Sequence, residues 1–488
     1  MFHLFHLSTD KDSSLQQQLR EQIASAILNG NIPVDSPLPS SRKLAKQLSI
    51  ARNTVVLAYE HLLDDGYLIA RERSGYYVNP EILSHKVAQE AEDHEGVDGN
   101  APDWSKKLKA FPSGQANMKK PRDWQKYQYP FIYGQFDPTL FPTNNWRECC
   151  RDAVSVPAIR DWASDRFDND DPLLVEQIRT RLLPRRGVWA SAEQILVTVG
   201  AQQSLYILAQ LLLDKDSVMG LEDPGYVDIR NIAQLNPSQV KPLPVDDEGM
   251  IIDEKLDDCD CVFTTPSHHC PTTVTMPIER RYELLEKANE HDFVIIEDDY
   301  ESETNFKSNP IPALKSLDKS DRVIYVGSLS KTLAPGLRLG YLVGPKEFIR
   351  EARALRRLMV RHPAANNQRS VALFLERGYH DALIMTIMRA YEERWQEMGA
   401  ALSEYMPATF NKPSFGGSCY WVKGPEGLDA RVLRKEAADR GILIEPGDIH
   451  FLSDNPPLNY FRLGYSSIAS ERIRPGIKAL AELIEDML

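Results

Sequence analysis

Short apolar runs alternate with helix-forming segments over most of this chain. From about residue 129 onward, each run is long enough for one buried strand, and the segments between them have helical spacing. The clearest runs are Ile195 to Val199, Cys261 to Thr264, Phe293 to Ile296 and Val323 to Val326. Continuous apolar runs are typical of parallel strands that helices cover on both faces. The pattern therefore predicts an α/β domain with a mostly parallel sheet.

The first 80 residues read as a unit of their own. Leu15, Leu19, Ile23 and Ile27 recur at helical spacing and predict an amphipathic helix that ends near Gly30.

The rest of this unit has the pattern of two more helices and a small hairpin. Ser40 is a suitable N-cap for a short helix through Leu48, and a second helix follows over residues 52–63. Two β-prone runs, 67–70 and 75–78, predict a wing. Residues 81–128 mix acidic and basic patches with prolines and little periodicity, which predicts a linker.

Composition limits the partners of the chain. A formal net charge of −13 over 488 residues argues against a protein that coats nucleic acid, although it permits a small basic DNA-binding domain. The N-terminus lacks a signal-peptide pattern, and the longest uncharged stretch, 196–213, contains Gln and Gly. We therefore expect a cytoplasmic protein with no membrane partner.

The six cysteines lack paired metal-ligand spacing, so we expect free thiols and no metal site.

The run from Tyr325 to Tyr341 carries the clearest chemical signal. Lys331 follows Ser328 and Ser330 at a strand end, and Arg338 comes seven positions later. A buried lysine with a depressed pKa is a nucleophile that can form a Schiff base with an aldehyde. Ser328 and Arg338 suit the phosphate of such an aldehyde, and pyridoxal 5′-phosphate is the obvious compound.

Two residues before this run suit the ring of that cofactor. Asp298 lies 33 residues before Lys331, at the end of an apolar strand. A carboxylate there would keep a pyridine nitrogen protonated, and Tyr300 could hydrogen-bond the phenolic oxygen of the ring. The alternative is that Asp298 and Asp299 are surface acids in a turn.

Three other positions add weaker signals. Gly200, Ala201 and Gln202 follow a strand and open a helix, whose free N–H groups favour a phosphate. Tyr226, in a Pro-Gly-aromatic turn, could stack on a flat ring. Arg462 is a cation inside an apolar strand, and buried charges need a partner. A carboxylate ligand and an internal salt bridge are the two alternatives for it.

Every charged residue from 36 to 59 is basic. A basic helix-turn-helix in an acidic protein is typical of a DNA-binding face. The second helix of such a unit enters the major groove with its N-terminal residues, which here are Arg52, Asn53 and Thr54. The alternative is a protein-interaction domain with a solvated basic face.

Further basic residues could contact DNA around this helix. Arg42 would approach the backbone, and Arg71 and Arg73 in the wing could reach a minor groove.

These N-terminal residues resemble the GntR-type winged helix-turn-helix family. The resemblance rests on residues 38–42, 52–55, 58–59 and 63–68. That family usually has Ser or Thr where this chain has Ala51. Loss of a side-chain cap there should cost about 0.5–2 kcal/mol of helix stability.

The order of the cofactor residues resembles the fold-type I aminotransferases, and more closely the MocR/GabR regulators. The resemblance implies a large domain over 129–345 and a smaller C-terminal α+β domain over 346–488. It implies that Lys331 holds the cofactor as a Schiff base, that Asp298 pairs with the ring nitrogen, and that Tyr300 contacts the phenolic oxygen. Tyr226 would stack on the ring. The resemblance assigns the phosphate to these residues: Gly200, Ala201, Gln202, Ser328 and Arg338.

The resemblance also assigns residues to an effector. Arg462 would take its carboxylate. True aminotransferases carry Asn-Pro-x-Asn-Pro-Thr-Gly where this chain has residues 265–273, with His269, Cys270 and Thr273 as departures. Asp228 and His268 would suit an effector with a second amino group.

Together these features predict a cytoplasmic transcription regulator that binds double-stranded operator DNA and is not primarily an enzyme. An amino compound would form an external aldimine with the cofactor and shift the protein between two arrangements. The resemblance also implies a domain-swapped homodimer. A working aminotransferase with an autoregulatory DNA-binding module and a sensor of pyridoxal 5′-phosphate itself stay open as alternatives. A DNA-binding scaffold without cofactor is a third alternative. The effector could be 4-aminobutyrate, taurine, an ectoine-derived diamino acid or another amine.

Overall fold

The structure, a computed structural model, describes residues 5–8, 13–72, 74–83, 102–301, 303–306, 311–329, 331, 333–407 and 416–488. Contacts within the chain divide it into two compact units, Met1–Lys107 and Leu108–Leu488. Residues 108–128, part of the predicted linker, thus belong to the second unit.

The first unit contains a three-helix core and a two-stranded wing. Its elements are α1 (Leu15–Leu28), α2 (Ser41–Leu48), α3 (Arg52–Asp64), β1 (Leu68–Arg71), β2 (Gly75–Val78) and α4 (Trp104–Lys107).

Apolar residues at helical spacing build the core of this unit. Leu19, Ile23 and Ile27 of α1 are fully buried against Val55 and Leu62 of α3. Such a stripe is what directs an amphipathic helix onto its neighbours. The hydroxyl of Ser40 accepts a hydrogen bond from the Lys43 N–H at 3.3 Å, as expected for an N-cap. Strands β1 and β2 pair antiparallel, so the predicted wing is confirmed.

The second unit contains strands and helices in alternation. Its strands are β3 (Tyr129–Pro130), β4 (Ile195–Thr198), β5 (Val218–Asp223), β6 (Gln239–Asp246), β7 (Gly249–Met250), β8 (Cys261–Thr264), β9 (Val294–Asp298), β10 (Val323–Ser328), β11 (Gly340–Val343), β12 (Cys419–Lys423), β13 (Ile442–Leu443), β14 (Glu445–Pro446) and β15 (Tyr460–Gly464). Its helices are α5 (Thr143–Ala153), α6 (Val156–Trp162), α7 (Pro172–Gln177), α8 (Ala201–Leu212), α9 (Val227–Leu235), α10 (Ile278–His291), α11 (Leu314–Leu317), α12 (Lys346–Val360), α13 (Ala365–Glu376), α14 (Tyr379–Tyr405), α15 (Ala430–Asp439) and α16 (Ser470–Met487).

The main sheet has eight strands in the order β4-β11-β10-β9-β8-β5-β6-β7. The five strands from β10 to β6 are parallel, whereas β11 runs antiparallel to both β10 and β4. The predicted α/β fold with a mostly parallel sheet is confirmed. Because β4 therefore runs in the direction of β10, the carboxyl ends of β4, β5, β8, β9 and β10 meet at one edge. Ligands of open α/β sheets bind at this edge.

A smaller sheet, β12-β15-β14, is antiparallel and belongs to the C-terminal part. Strand β3 pairs parallel with β13, so residues 129–130 join this part rather than the main sheet. Among the described residues, no helix is both long and apolar enough to span a membrane.

Candidate functional site

A cavity of about 640 Å³ lies at the carboxyl edge of the main sheet. Three strand ends contribute to its wall: Asp298 ends β9, Ser328 ends β10 and Thr265 follows β8. Ala201 and Gln202, at the start of α8, line it as well. Residues that are far apart in the sequence meet here because parallel strands end at one edge.

Lys331 projects into this cavity in a crowded, positively charged environment. Its Nζ lies 4.1 Å from the centre of the Tyr133 ring and 5.9 Å from that of Tyr300. Burial lowers the pKa of Lys331, and the nearby cations Lys120 and Arg462 lower it further, against the opposing effect of Glu301. A lysine with a lowered pKa keeps more of its amine neutral and available as a nucleophile.

Asp298 is a buried carboxylate without a protein partner on one oxygen. It is 5% exposed, and within the described part of the chain its Oδ1 has no hydrogen-bond partner. Burial first, and then the neighbouring Asp299, raises the pKa of Asp298 to about 7. An orphaned buried acceptor needs a donor from outside the protein. A protonated ring nitrogen fits this requirement.

Gly200 and Arg338 form a close pair at the start of α8. Gly200 has a φ of +77°, and a Cβ there would lie 2.9 Å from a terminal nitrogen of Arg338. The positive φ favours glycine at this position, because residues with a Cβ rarely adopt it. Arg338 Nη2 donates to the Val199 carbonyl at 3.4 Å. The guanidinium and the first N–H groups of α8 together suit a phosphate.

Two tyrosines line the same cavity. The Tyr226 hydroxyl lies 3.2 Å from Gln202 Oε1 and 3.1 Å from Asp228 Oδ2, and its ring stacks on Phe263. Burial raises the pKa of Tyr300 well above its usual range, so its hydroxyl stays protonated and able to donate. These aromatic and donor groups fit a flat, phosphorylated pyridine, as do Lys331 and Asp298.

Arg462 has an internal partner and also faces the cavity. Its Nε donates to Glu445 Oε2 at 3.0 Å, and both side chains are buried. Burial opposes its charge, but Glu445 and weaker contributions from neighbouring groups together outweigh this effect, so the pKa of Arg462 is raised. Of the two alternatives from the sequence, the internal salt bridge is present. The position in the cavity wall leaves the ligand role a prediction.

The segment that follows β8 contributes to the cavity wall, but not through the residue that was assigned to the effector. Thr265 and Cys270 line it, but His268 is not among its described lining residues. His268 is buried, and burial lowers its pKa. Its effector role stays a prediction.

The buried His269 is held by its own segment. It shares a 2.6 Å hydrogen bond with Thr272, and burial lowers the pKa of His269 to about 3.

The predicted DNA-contact residues lie mostly on the surface of the first unit. Arg42, Arg52 and Asn53 are exposed, and Thr54 is half-buried in the first turn of α3. Ala51 precedes this helix without a side-chain cap.

Arg71 of the wing has partners within the first unit. Arg71 pairs with Asp35, and its guanidinium lies 4.3 Å from the centre of the Tyr77 ring. Arg73 lies outside the described residues.

Sequence reasoning missed several residues of the cavity wall, among them Lys120, Tyr133 and His450. His450 donates Nδ1–H to the Gly225 carbonyl at 2.8 Å, so its Nε2 is a lone-pair acceptor. Lys120 comes from the predicted linker, where several other lysines occur and nothing in the sequence sets this one apart. No local pattern distinguishes these residues, since each reaches the site through long-range packing.

Two family models match this chain. Residues 168–457 match aminotransferase class I and II, and residues 15–78 match the gntR family of bacterial regulatory proteins. The HTH-type transcriptional regulator TauR of Rhodobacter capsulatus is 41% identical over 98% of both chains. The probable rhizopine catabolism regulatory protein MocR of Rhizobium meliloti is 30% identical over 97% of this chain and 94% of its own.

A solved structure shares the fold of the second unit. It is the kynurenine aminotransferase of Pyrococcus horikoshii in complex with PMP, which is 28% identical. It covers 80% of this chain and 98% of its own, with a TM-score of 0.69.

Proposed function

This chain belongs to the MocR/GabR family of GntR-type transcription regulators, and we propose that it senses a small amino compound in the cavity around Lys331. It is a transcription regulator with an N-terminal DNA-binding domain and an aminotransferase-like domain whose cofactor is pyridoxal 5′-phosphate. The observation that carries the proposal is the meeting of Lys331, the orphaned Asp298 and the Gly200–Arg338 pair in one cavity.

When bound, the cofactor supplies an aldehyde that takes up primary amines reversibly and a ring that accepts electrons. Arg338 and the N–H groups of Ala201 and Gln202 would bind its phosphate, with Ser328 beside them. Tyr226 would pack against the face of the ring.

The protein also controls protons around the ring. Asp298 would hold the proton on the ring nitrogen, because a carboxylate and a pyridinium stabilise each other's charges in a buried site. The Tyr300 hydroxyl would donate to the phenolic oxygen of the ring. Lys331 offers the amine with which an incoming ligand amine must compete, and its lowered pKa keeps more of that amine neutral and able to react.

Competition at Lys331 can control DNA binding if two arrangements of the protein bind the ligand differently. A ligand shifts such an equilibrium only by its difference in affinity for the two states. Arg52, Asn53 and Thr54 at the start of α3 would contact operator DNA, with Arg42 on the backbone and Arg71 in the wing. We further propose that the protein works as a homodimer, with DNA-binding units exchanged between subunits. Its site of action would be the bacterial cytoplasm, where operator DNA lies.

Two observations favour alternative functions for this protein. Every residue proposed to contact the ring is present in the cavity, so transamination is compatible with the site. The Arg462–Glu445 salt bridge suits a regulator that senses the cofactor itself, since Arg462 then has only a structural role. Turnover with amino donors and 2-oxoacids would identify the first candidate. An operator affinity that responds to the cofactor, but to no amine, would identify the second.

The test is the absorbance of the purified full-length protein during titration with amino acids and amines. We expect a band near about 420 nm in the wild type that is absent from Lys331→Ala. Lys319→Ala, which removes an exposed lysine from the same unit, should keep the band. One compound should shift the band and also change operator affinity. A wild-type protein without a Lys331-dependent band would contradict the proposal.

A further inference from the structure

A second, much smaller cavity adjoins the one around Lys331, and we refer to it as the side chamber. Its volume is about 30 Å³. Gly134, Tyr300 and Lys331 line both cavities, so these three residues form the boundary between them. A volume of about 30 Å³ has room for one or two groups of the size of water. The side chamber can therefore hold an ammonium group, but neither a cofactor nor an effector.

The boundary leaves space for the amine of Lys331. A Cβ at Gly134, whose φ is +71°, would lie 3.1 Å from Lys331 Nζ. The rings of Tyr133 and Tyr300 stand beside the same nitrogen, with their centres 4.1 Å and 5.9 Å away. Because a lysine stem is long and flexible, rotation about its own bonds can turn the amine toward either cavity.

The two sides of this boundary differ in charge near Lys331. On the side of the main cavity lie two cations, Lys120 and Arg462, which both lower the pKa of Lys331. The side chamber is lined by the carboxylates Glu301 and Glu303, and among its described lining residues Lys331 is the one cation. A charged Lys331 amine is thus repelled by groups on one side and attracted by groups on the other.

Glu301 is the better placed of the two carboxylates. Its side chain is buried, and the Ser418 hydroxyl donates to its Oε1 at 2.6 Å, which fixes the orientation of the carboxylate. Burial has the largest effect on the pKa of Lys331 and lowers it, whereas Glu301 raises it. Glu301 therefore favours the charged form of this amine.

We propose that the side chamber receives the amine of Lys331 when a ligand amine displaces it from the cofactor, and that Glu301 pairs with the released ammonium there. The inference rests on the proposed function, because only a lysine that is bound to the cofactor can be displaced from it. Glu301 is a positioning residue in this scheme. It acts on Lys331 and is not among the described residues that line the main cavity.

The exchange of amines conserves protons when Lys331 leaves as an ammonium. The ligand nitrogen forms the carbon–nitrogen double bond that Lys331 Nζ gives up, and the double-bonded nitrogen carries one proton before and after. The charged ligand amine loses two protons and the released lysine gains two. A lysine released as a neutral amine gains only one, so the other enters the solvent. Glu301 selects the first course, since a carboxylate stabilises an ammonium.

The test compares Glu301→Gln with the wild type, both full length. The probes are methylamine, n-butylamine and 4-aminobutyrate, titrated into the cofactor-loaded proteins and followed by absorbance. We expect Glu301→Gln to raise Kd for all three amines by a similar factor of about 10 to 100, as loss of a charged hydrogen bond should. The factor should not depend on the rest of the ligand, because Glu301 contacts the leaving lysine.

The affinity for the cofactor itself should change in the opposite direction. In the cofactor-free protein Lys331 is also a free amine, so Glu301 stabilises that state too. Titration of pyridoxal 5′-phosphate into cofactor-free Glu301→Gln should therefore give a lower Kd than in the wild type. A substitution that merely loosens the site would raise Kd for the cofactor and for the amines alike.

The pH dependence of amine binding gives a second readout. Between about pH 6.5 and 8 an alkylamine stays charged, as a lysine side chain does. Kd for n-butylamine should be constant over this range in the wild type, which releases no proton. In Glu301→Gln it should fall by up to about tenfold per pH unit, because the neutral lysine leaves one proton to the solvent.

Other titratable groups also face Lys331, and their protons must be separated from this effect. They are Asp298, Cys270, Tyr133, Tyr300, Tyr391, Glu303, Lys120 and Arg462. Burial raises the pKa of the thiol to about 12 and the pKa of each of the three tyrosines above its usual range, so these groups stay protonated. Restricting the titrations to pH values at which the ligand-free spectrum is constant excludes a contribution from Asp298.

Two further variants are the controls. Glu301→Asp keeps the charge and should retain the pH-independent Kd of the wild type. Glu290→Gln removes an exposed carboxylate from α10 of the same unit and should change neither the amine affinities nor the cofactor affinity.

Several outcomes would overturn the inference. Unchanged amine affinity in Glu301→Gln would place the released lysine elsewhere, and a rise in Kd for one probe alone would make Glu301 a ligand contact. A higher Kd for cofactor and amines together would leave it a structural role. In each case the Lys331-dependent band still responds to amines, so the proposed function stands. A wild type without that band, or one whose band no amine shifts, removes both.

Discussion

Asp298 and Asp299 are adjacent in sequence, yet the fold gives them opposite electrostatic surroundings. Asp299 accepts hydrogen bonds from Arg186 Nε at 2.7 Å and from the Tyr325 hydroxyl at 2.9 Å. Burial opposes its charge, but Arg186 and the hydrogen bonds from Ser267 and Tyr325 together outweigh this effect, so the pKa of Asp299 is lowered. Asp298 points to the other side of the strand end, where none of the described cations forms a salt bridge with it. Asp299 is thus paired within the protein, whereas Asp298 keeps an unpaired oxygen, as the proposed cofactor contact requires.

We predict that Asp298→Asn stabilises the cofactor-free protein at high pH. The pKa of Asp298 is raised by burial from 3.8 to about 7, so the folded state binds its proton more tightly than the unfolded state. This carboxyl therefore costs stability increasingly between pH 3.8 and about 7, and fully above that range. At 1.36 kcal/mol per pKa unit, the cost is at most about 4 kcal/mol. Thermal unfolding of both proteins at pH 5 and pH 8 measures it.

The contrast with Asp299→Asn is the control for this prediction. That variant leaves Arg186 buried without its carboxylate, so we expect a loss of stability by about 3–5 kcal/mol near neutral pH. Without cofactor we expect Asp298→Asn to be more stable than the wild type. Adding cofactor should make the wild type the more stable of the two, since only the wild type gains a buried ion pair. An Asp298→Asn protein that is less stable than wild type at pH 8 without cofactor would refute the argument.

At the scale of elements, α2 and α3 of the DNA-binding unit begin in different ways. Ser40 caps α2 through its hydroxyl, whereas Ala51 before α3 offers no side-chain acceptor. The helix expected to enter the major groove is thus the one that begins without a side-chain cap. Arg52 Nε lies 3.4 Å from the Ser41 hydroxyl and gives a weak link between the two helices.

We predict that Ala51→Ser stabilises the DNA-binding unit and tightens operator binding. The backbone of Ala51 is already extended, with φ −63° and ψ 138°, which is the conformation an N-cap requires. A serine hydroxyl could therefore accept an N–H of the first turn without rearrangement. We expect a gain of about 0.5–2 kcal/mol in the free energy of unfolding of this unit. Hydrogen exchange of α3 amides and operator titration in the full-length protein measure the two effects.

Ser40→Ala gives the matched comparison, because it removes an existing cap from the neighbouring helix. It should lower protection of α2 by a similar amount. If Ala51→Ser leaves exchange in α3 unchanged while Ser40→Ala weakens α2, then α3 is already held by its packing and the missing cap has no energetic consequence.

The sequence predicted the elements that carry their own pattern. The four apolar runs became β4, β8, β9 and β10, and the helices of the first unit begin and end close to the predicted positions. Strand β11 was missed, because Gly340 to Val343 directly follows the Lys331 run and has no separate signal. Residues 129–130 pair with β13, about 300 positions away, and no local pattern could indicate that pairing.

In the site, too, residues with a sequence pattern were predicted and residues placed by long-range packing were missed. Lys331, Asp298, Tyr300, Tyr226, Ser328 and Arg338 were expected together, and the structure brings them to one cavity. Their positions at strand ends make this possible, since the topology of a parallel sheet collects them. Lys120 and Tyr133 lie outside that rule. Both reach the cavity from segments without regular structure, and for Lys120 the composition indicated only a linker.

At the scale of the whole molecule, apolar side chains remain exposed on two neighbouring elements. Leu358 at the end of α12 is 84% exposed, and Val156 at the start of α6 is 63% exposed. Arg361 after α12 pairs with Asp165 after α6, so these elements are adjacent. Exposed apolar side chains on adjacent elements are candidates for an interface. A second copy of the chain is the partner that a dimeric regulator requires.

We predict that this surface forms the homodimer contact. The wild type should sediment at twice 55.4 kDa, whereas the double variant Val156→Asp/Leu358→Asp should sediment as a monomer. A buried carboxylate without a partner is costly at an interface, so two on each subunit should suffice. The operator affinity of the double variant should also be lower than that of the wild type, because one DNA-binding unit contacts only one half-site. Sedimentation velocity and operator titration on the same samples measure both.

Leu488→Asp is the control, since Leu488 is 66% exposed at the other end of the chain and should leave the dimer intact. The absorbance band of the double variant separates dissociation from unfolding: a folded monomer still places Asp298, Arg338 and Lys331 in one cavity. A double variant that stays dimeric would move the contact to another surface. A monomer that keeps wild-type operator affinity would instead show that one DNA-binding unit is enough, and the coupling between Lys331 and DNA would then have to operate within a single chain.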